Sequence, residues 1–136
     1  MYCLGDECTL GLLDPDLLCQ CRFSRFASKL HRCPNYASQP AEYLRFLMAT
    51  VREHGYNGLF PSHEQVYLLS RVRDEISKHV AVALPDFEAI RLMQSKSDFV
   101  RTLTELDIPV PATRIVRDVA ELDDHSEFPC YIKLAH

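Results

Sequence analysis

Two lysines in restrained settings are the residues best placed to do chemistry. Lys96 lies in Met93-Gln94-Ser95-Lys96-Ser97-Asp98-Phe99, and Lys133 in Phe128-Pro129-Cys130-Tyr131-Ile132-Lys133. A lysine that alternates with apolar residues on a strand loses hydration unless an anion or a carboxylate meets it. Two such ammonium groups can together hold a polyphosphate, as point charges that follow its oxygens. Each has a plainer reading as well. A solvated lysine at a helix start costs only about a few tenths of a kcal/mol against the dipole, and a lysine on an edge strand guards against aggregation. His63 and Glu64, after Leu59-Phe60-Pro61-Ser62, stand where a strand gives way to a helix. Ligands of open α/β sheets gather at such places, although an acid is favoured at a helix start by the dipole alone.

Six cysteines are many for 136 residues, and Cys3, Cys8, Cys19, Cys21 and Cys33 crowd the first quarter, with Cys130 far downstream. Their spacings, C-x4-C, C-x-C and His31-x-Cys33, do not include the C-x2-C knuckle of most structural zinc sites. Reduced, partly buried thiols are the expectation, with no metal assigned, and a small zinc protein is the competing reading. There is no Gly-rich phosphate loop, no G-x-S-x-G elbow and no H-E-x-x-H, and the chain has only four glycines. A self-contained nucleotide loop is thereby excluded.

The composition, 47% hydrophobic and 25% charged with a net charge of −4, is that of a globular domain. Nineteen acids against fifteen bases leave no broad positive field for a nucleic-acid backbone. Apolar stretches fall short of the roughly 18 residues of a membrane span, and Met1 to Leu13 carries no positive leader pattern. A cytoplasmic protein with neither nucleic-acid nor membrane partners is expected.

The elements that must position the lysines follow from periodicity. Residues 1–37 read as an irregular, cysteine-rich start, punctuated by Gly5, Gly11, Asp14-Pro15 and Pro34-Asn35. Tyr43, Leu44, Leu47, Met48 and Val51 predict a helix from about Pro40 to His54, stopped by Gly55. Gly58-Leu59-Phe60-Pro61 reads as a short buried strand that ends at a loop. Ser62 to Gln65 reads as a capping box, opening a helix to about Lys78 with Val66, Leu69, Val72 and Ile76 inward. His79 to Leu84 is a second short strand, and strand, helix, strand is the unit of a parallel sheet. Helices are predicted at about 86–94 and 96–106, joined at the Ser95 cap, with Ile108-Pro109-Val110-Pro111 as a stiff connector. Strands at Thr113–Arg117 and Cys130–Leu134, and a short helix after Asp118, complete the expectation. Three segments result: 1–37, 38–85 and 86–136.

Taken in order, Leu59-Phe60-Pro61-Ser62-His63-Glu64, the Lys96 block with Leu106-Asp107-Ile108-Pro109-Val110-Pro111, and the Lys133 block resemble the ATP-grasp superfamily. The likeness is to its carboxylate-amine ligase, carbamoyl-phosphate synthase and biotin carboxylase branch. It covers about residues 20–136, with Phe23-Ser24-Arg25-Phe26 resembling that family's S-R-Y/F segment. It implies a partial Rossmann-like, pre-ATP-grasp α/β sheet over 38–85 and the first elements of an ATP-grasp subdomain over 86–136. It also implies that Lys96 and Lys133 contact the phosphates of ATP, with Mg2+ as the accompanying cation. The chain departs from the family pattern at Asp107, where the connector has glycine, at Ser95, where an acid is usual, and at Leu134, where proline follows the strand lysine.

The family's glycine-rich loop, adenine-binding hinge, Mg2+ ligands and substrate arginine would fall after His136. The resemblance therefore implies a truncated ligase, inactive alone, that needs a complementing chain or forms homo-oligomers. The alternative is a non-catalytic Rossmann-like binding or interaction module in which both lysines are surface charges. Open sheet edges predict poor solubility or association in isolation.

Overall fold

The computed structural model of the chain describes residues 7–121 and 129–134. The chain mixes helices with small parallel sheets, an α/β arrangement. It falls into two compact units divided between Leu84 and Pro85. Among the described residues no helix is long and apolar enough to cross a membrane.

The first unit opens with two strands that the turn-rich sequence does not predict: β1 (Leu10–Asp14) and β2 (Ala27–Arg32), paired in parallel. Gly11 is a strand residue here rather than a turn, opposite Lys29, and Leu13 lies opposite His31. The register slips between Leu10 and Gly11, so Ser28 is the extra residue on β2. The intervening loop, which carries a 3-10 turn at Gln20–Phe23, is held by its own polar groups. Asp14 Oδ1 accepts from the Asp16 N–H and Asp16 Oδ1 from the Leu18 N–H, each at 2.8 Å, and the Arg22 guanidinium donates to the Leu17 carbonyl. Parallel pairing requires such a crossover, and its partner lies too far along the chain for local patterning to reveal.

Helix α1 (Pro40–His54) has the predicted bounds. Pro40 fits the first turn, where no N–H is needed, and Gly55 closes the helix at φ 65° with its N–H on the Val51 carbonyl. The Tyr56 N–H reaches the same carbonyl at 3.1 Å. Tyr43, Leu47, Thr50 and Val51 are its buried face. Strands β3 (Gly58–Leu59) and β4 (Ala81–Val82) pair in parallel, as strand-helix-strand order predicts, though each is only two residues long.

The connection between β3 and β4 departs from expectation. His63 takes a left-handed φ of 55°, which a continuous helix from Ser62 cannot contain, so the Ser62–Gln65 capping box does not form. The helix begins three residues later as α2 (Gln65–Ser70), with no side-chain cap at Glu64, and after a break at Arg71–Val72 resumes as α3 (Arg73–Ser77). Leu69 and Ile76 both reach the core on the face the periodicity predicts, at 0% and 2% exposure. That core comprises Cys33, Tyr43, Leu47, Val51, Leu69, Ile76, Val80 and Leu84, all from the first unit.

The second unit contains α4 (Phe87–Gln94) and α5 (Lys96–Glu105). Asp86 caps α4 by accepting from the Ala89 N–H at 2.8 Å, and Ser95 caps α5 by accepting from the Asp98 N–H at 3.3 Å, as predicted. Asp107 ends α5 in the left-handed region at φ 55°. Thr113–Arg117 and Cys130–Leu134 form no strands, because no described segment offers them a ladder of hydrogen bonds. A 3-10 turn, Val119–Glu121, replaces the predicted short helix, and the Glu121 carboxylate accepts from the Arg117 N–H. Cys3, Gly5 and Phe128, named in the sequence patterns, lie outside the described residues.

Candidate functional site

Lys96 is the first residue of α5, immediately after the buried cap Ser95. The cap orients the first turn: Ser95 Oγ accepts from the Asp98 N–H and lies 3.1 Å from Ser97 Oγ. The Lys96 side chain is exposed, and it has no hydrogen-bond or ion-pair partner among the described residues. Asp98, one turn on, is taken by Arg101 at 3.3 Å.

Lys133 is exposed as well, in an extended segment whose apolar members are also in water: Tyr131 is 94% exposed and Ile132 82%. The desolvation expected of a strand lysine is therefore absent, because the strand itself is absent. The structure places both lysines in the second unit with exposed side chains. His63 and Glu64 are exposed too, with the Tyr36 hydroxyl donating to Glu64 at a long 3.5 Å.

Among the described residues no three His, Cys, Asp or Glu side chains converge as a cation site. Cys8 and Cys21 are exposed thiols, while Cys33 is a core residue whose thiol burial pushes up to about 11, with Asp14 adding to the rise.

Polar side chains do gather in one place that motif reading passed over, where the end of α1 meets β1 and β2. Register puts Gly11, Leu13, Lys29 and His31 on one face of the strand pair. Onto that face α1 brings His54, its last residue, and the following turn brings Tyr56. His31 Nε2 lies 2.8 Å from the Tyr56 hydroxyl, and the two rings meet edge to face. The His31 and His54 rings are 4.6 Å apart, centre to centre. Lys29 Nζ is 3.3 Å from His54 Nε2, and Glu53 Oε1 lies 3.9 Å from the same nitrogen.

Gly11 makes this possible, since a Cβ there would overlap the Tyr56 hydroxyl oxygen and Cζ. His31 is only 8% exposed, and burial holds its affinity for a proton below the ordinary histidine value; His54 and Lys29 lower it further, and Glu53 partly offsets them. A neutral His31 accepting from the Tyr56 hydroxyl fits this environment. A glycine within a strand was the sequence signal for this close approach, but turn-rich surroundings concealed it.

A second polar pair rims a groove of about 410 Å³ between α1 and α3: Arg52 Nη2 lies 3.2 Å from His79 Nε2, above Leu44, Met48, Val72 and Ile76.

No family model matches this chain, and no curated protein or solved structure matches it.

Proposed function

We propose that this chain is the N-terminal portion of an ATP-grasp ligase, with a partial Rossmann-like region ahead of the first elements of the ATP-binding subdomain. Such ligases activate a carboxylate by transferring the γ-phosphoryl group of ATP to it. An acyl phosphate and ADP result, and an amine then displaces phosphate. In this reading Lys96 and Lys133 supply positive charge to the nucleotide's phosphates.

The observation that carries the reading is the form of α5. It opens on Lys96 behind the buried Ser95 cap and closes on Asp107, which adopts a left-handed backbone where the resembled connector has glycine. Aspartate is among the few other residues that tolerate this conformation, so the substitution preserves what glycine provides. The prolines at 109 and 111 then hold the chain extended, as in the resembled pattern.

The test is thermal unfolding of the purified chain with and without millimolar Mg2+-ATP, repeated for Lys96→Ala and Lys133→Ala. Ligand at ten to a hundred times its dissociation constant adds about 1.4–2.7 kcal/mol. A rise in melting temperature that both substitutions abolish is the expected result. A cooperative melt that ATP does not shift, or a shift that survives both substitutions, refutes the assignment of the two lysines and favours a non-catalytic module.

A further inference from the structure

The cluster at the end of α1 is not used by the proposed nucleotide chemistry and lies in the other unit of the chain. We propose that Lys29, His31, His54 and Tyr56 form a pH-sensitive latch. It holds the turn after α1 against the β1–β2 pair when His31 is neutral and releases that turn when His31 takes a proton.

The geometry supplies the asymmetry. The hydrogen bond to Tyr56 is not itself sensitive: a neutral His31 accepts from the hydroxyl, and an imidazolium would donate to it. What changes is the charge placed at a nearly buried position. From β2 that position faces the Lys29 ammonium; from α1 it faces the His54 ring in contact with that ammonium, and Glu53; from the turn it faces the uncharged Tyr56 hydroxyl. Strand β1 contributes Gly11 and Leu13 to this face and no charge. Its acid, Asp14, acts on Cys33 and Tyr43 instead. Glu53 alone opposes the positive charges, and its side chain is 75% exposed, so solvent screens it.

A proton on His31 thus meets burial and a neighbouring ammonium with little compensation, and the cheapest relief is to hydrate the ring. A His31 ring that turns out to water disturbs Tyr56 as well, because the His31, His54 and Tyr56 rings pack as one triangle with centroids 4.6, 5.6 and 6.0 Å apart. The Gly55 and Tyr56 amides, both bonded to the Val51 carbonyl, report that movement.

The sign follows from the lowered proton affinity of His31 in the closed state. The latch is fully closed above the open-state value of about 6.5 and weakens as pH falls toward the closed-state value. Within that window the opening equilibrium rises by up to about tenfold per pH unit, the limit for one titrating group.

Amide exchange at Gly55 and Tyr56 in the full chain, corrected for intrinsic rates between pH 5 and 7.5, tests this in wild type, His31→Gln and Tyr56→Phe. Wild-type opening should grow as pH falls while β3 and β4 amides do not follow. His31→Gln should flatten the response, and Tyr56→Phe should keep it on a raised baseline. Equal pH dependence in His31→Gln, or none in wild type, overturns the proposal. Should a variant not fold, the wild-type His31 ring titration followed by NMR decides. A midpoint below that of a histidine peptide supports the latch, and one at or above it overturns it.

Discussion

Gly11→Ala should be among the most damaging small substitutions in the chain, and the reason is steric rather than conformational. Gly11 sits in the β1 ladder, where alanine's backbone is acceptable, but the added methyl would overlap the hydroxyl and Cζ of Tyr56. Forcing extra atoms into a packed site costs about 1–3 kcal/mol. Pushing Tyr56 aside also loses its bond to His31, a further contribution of about 1 kcal/mol. The expected loss is about 2–4 kcal/mol, and at about 4–8 °C per kcal/mol for a unit of this size it lowers the melting temperature by at least about 8 °C.

The decisive assay is a double-mutant cycle in urea. On a Tyr56→Ala background the methyl enters vacated space, so Gly11→Ala should be neutral, or stabilising by about 0.4–1 kcal/mol through a less flexible unfolded chain. Effects of Gly11→Ala that are equal in both backgrounds, to within about 0.5 kcal/mol, would refute the reasoning.

Leu69, fully buried, should lose about 2–5 kcal/mol on truncation to alanine, whereas Ile132→Ala, at an exposed site, should stay within about 0.5 kcal/mol. A shift in urea midpoint at constant slope checks both. Ser95→Ala removes the α5 cap and should cost about 0.5–2 kcal/mol, read as faster amide exchange in α5, while Lys96→Ala should leave that exchange unchanged. With its thiol pushed up to about 11, Cys33 is only about one-thousandth thiolate at pH 8, so iodoacetamide should label exposed Cys8 and Cys21 well before it. Mass spectrometry of a labelling time course would expose equal rates, which would contradict the burial of Cys33.

What the linear sequence determines here is whatever rests on neighbours within about a turn. Pro40 and Gly55 bound α1 to the residue, and Ser95 marks the start of α5, because a proline's missing N–H, a glycine's left-handed freedom and a serine's reach to a nearby N–H act locally. The parallel sense of β3 and β4 was legible for a related reason: a helix between two short apolar runs leaves few other arrangements. Tertiary structure decided what depends on distant partners. Leu10–Asp14 and Ala27–Arg32 become strands only by finding each other across a loop full of turn residues. Cys130–Leu134, with the better strand pattern, finds no such partner among the described residues and stays in water.

The same holds for side chains. Nothing local pairs His31 with Tyr56, twenty-five positions on; the register of β1 and β2 and the missing Cβ of Gly11 do. Lys96 and Lys133, conspicuous in the sequence by their neighbours, remain exposed, since alternation with apolar residues buries a lysine only where a sheet forms around it. Helix bonds close within four residues and can be read from the chain, whereas sheet pairing and side-chain clusters are long-range contacts that exist only once the chain has folded.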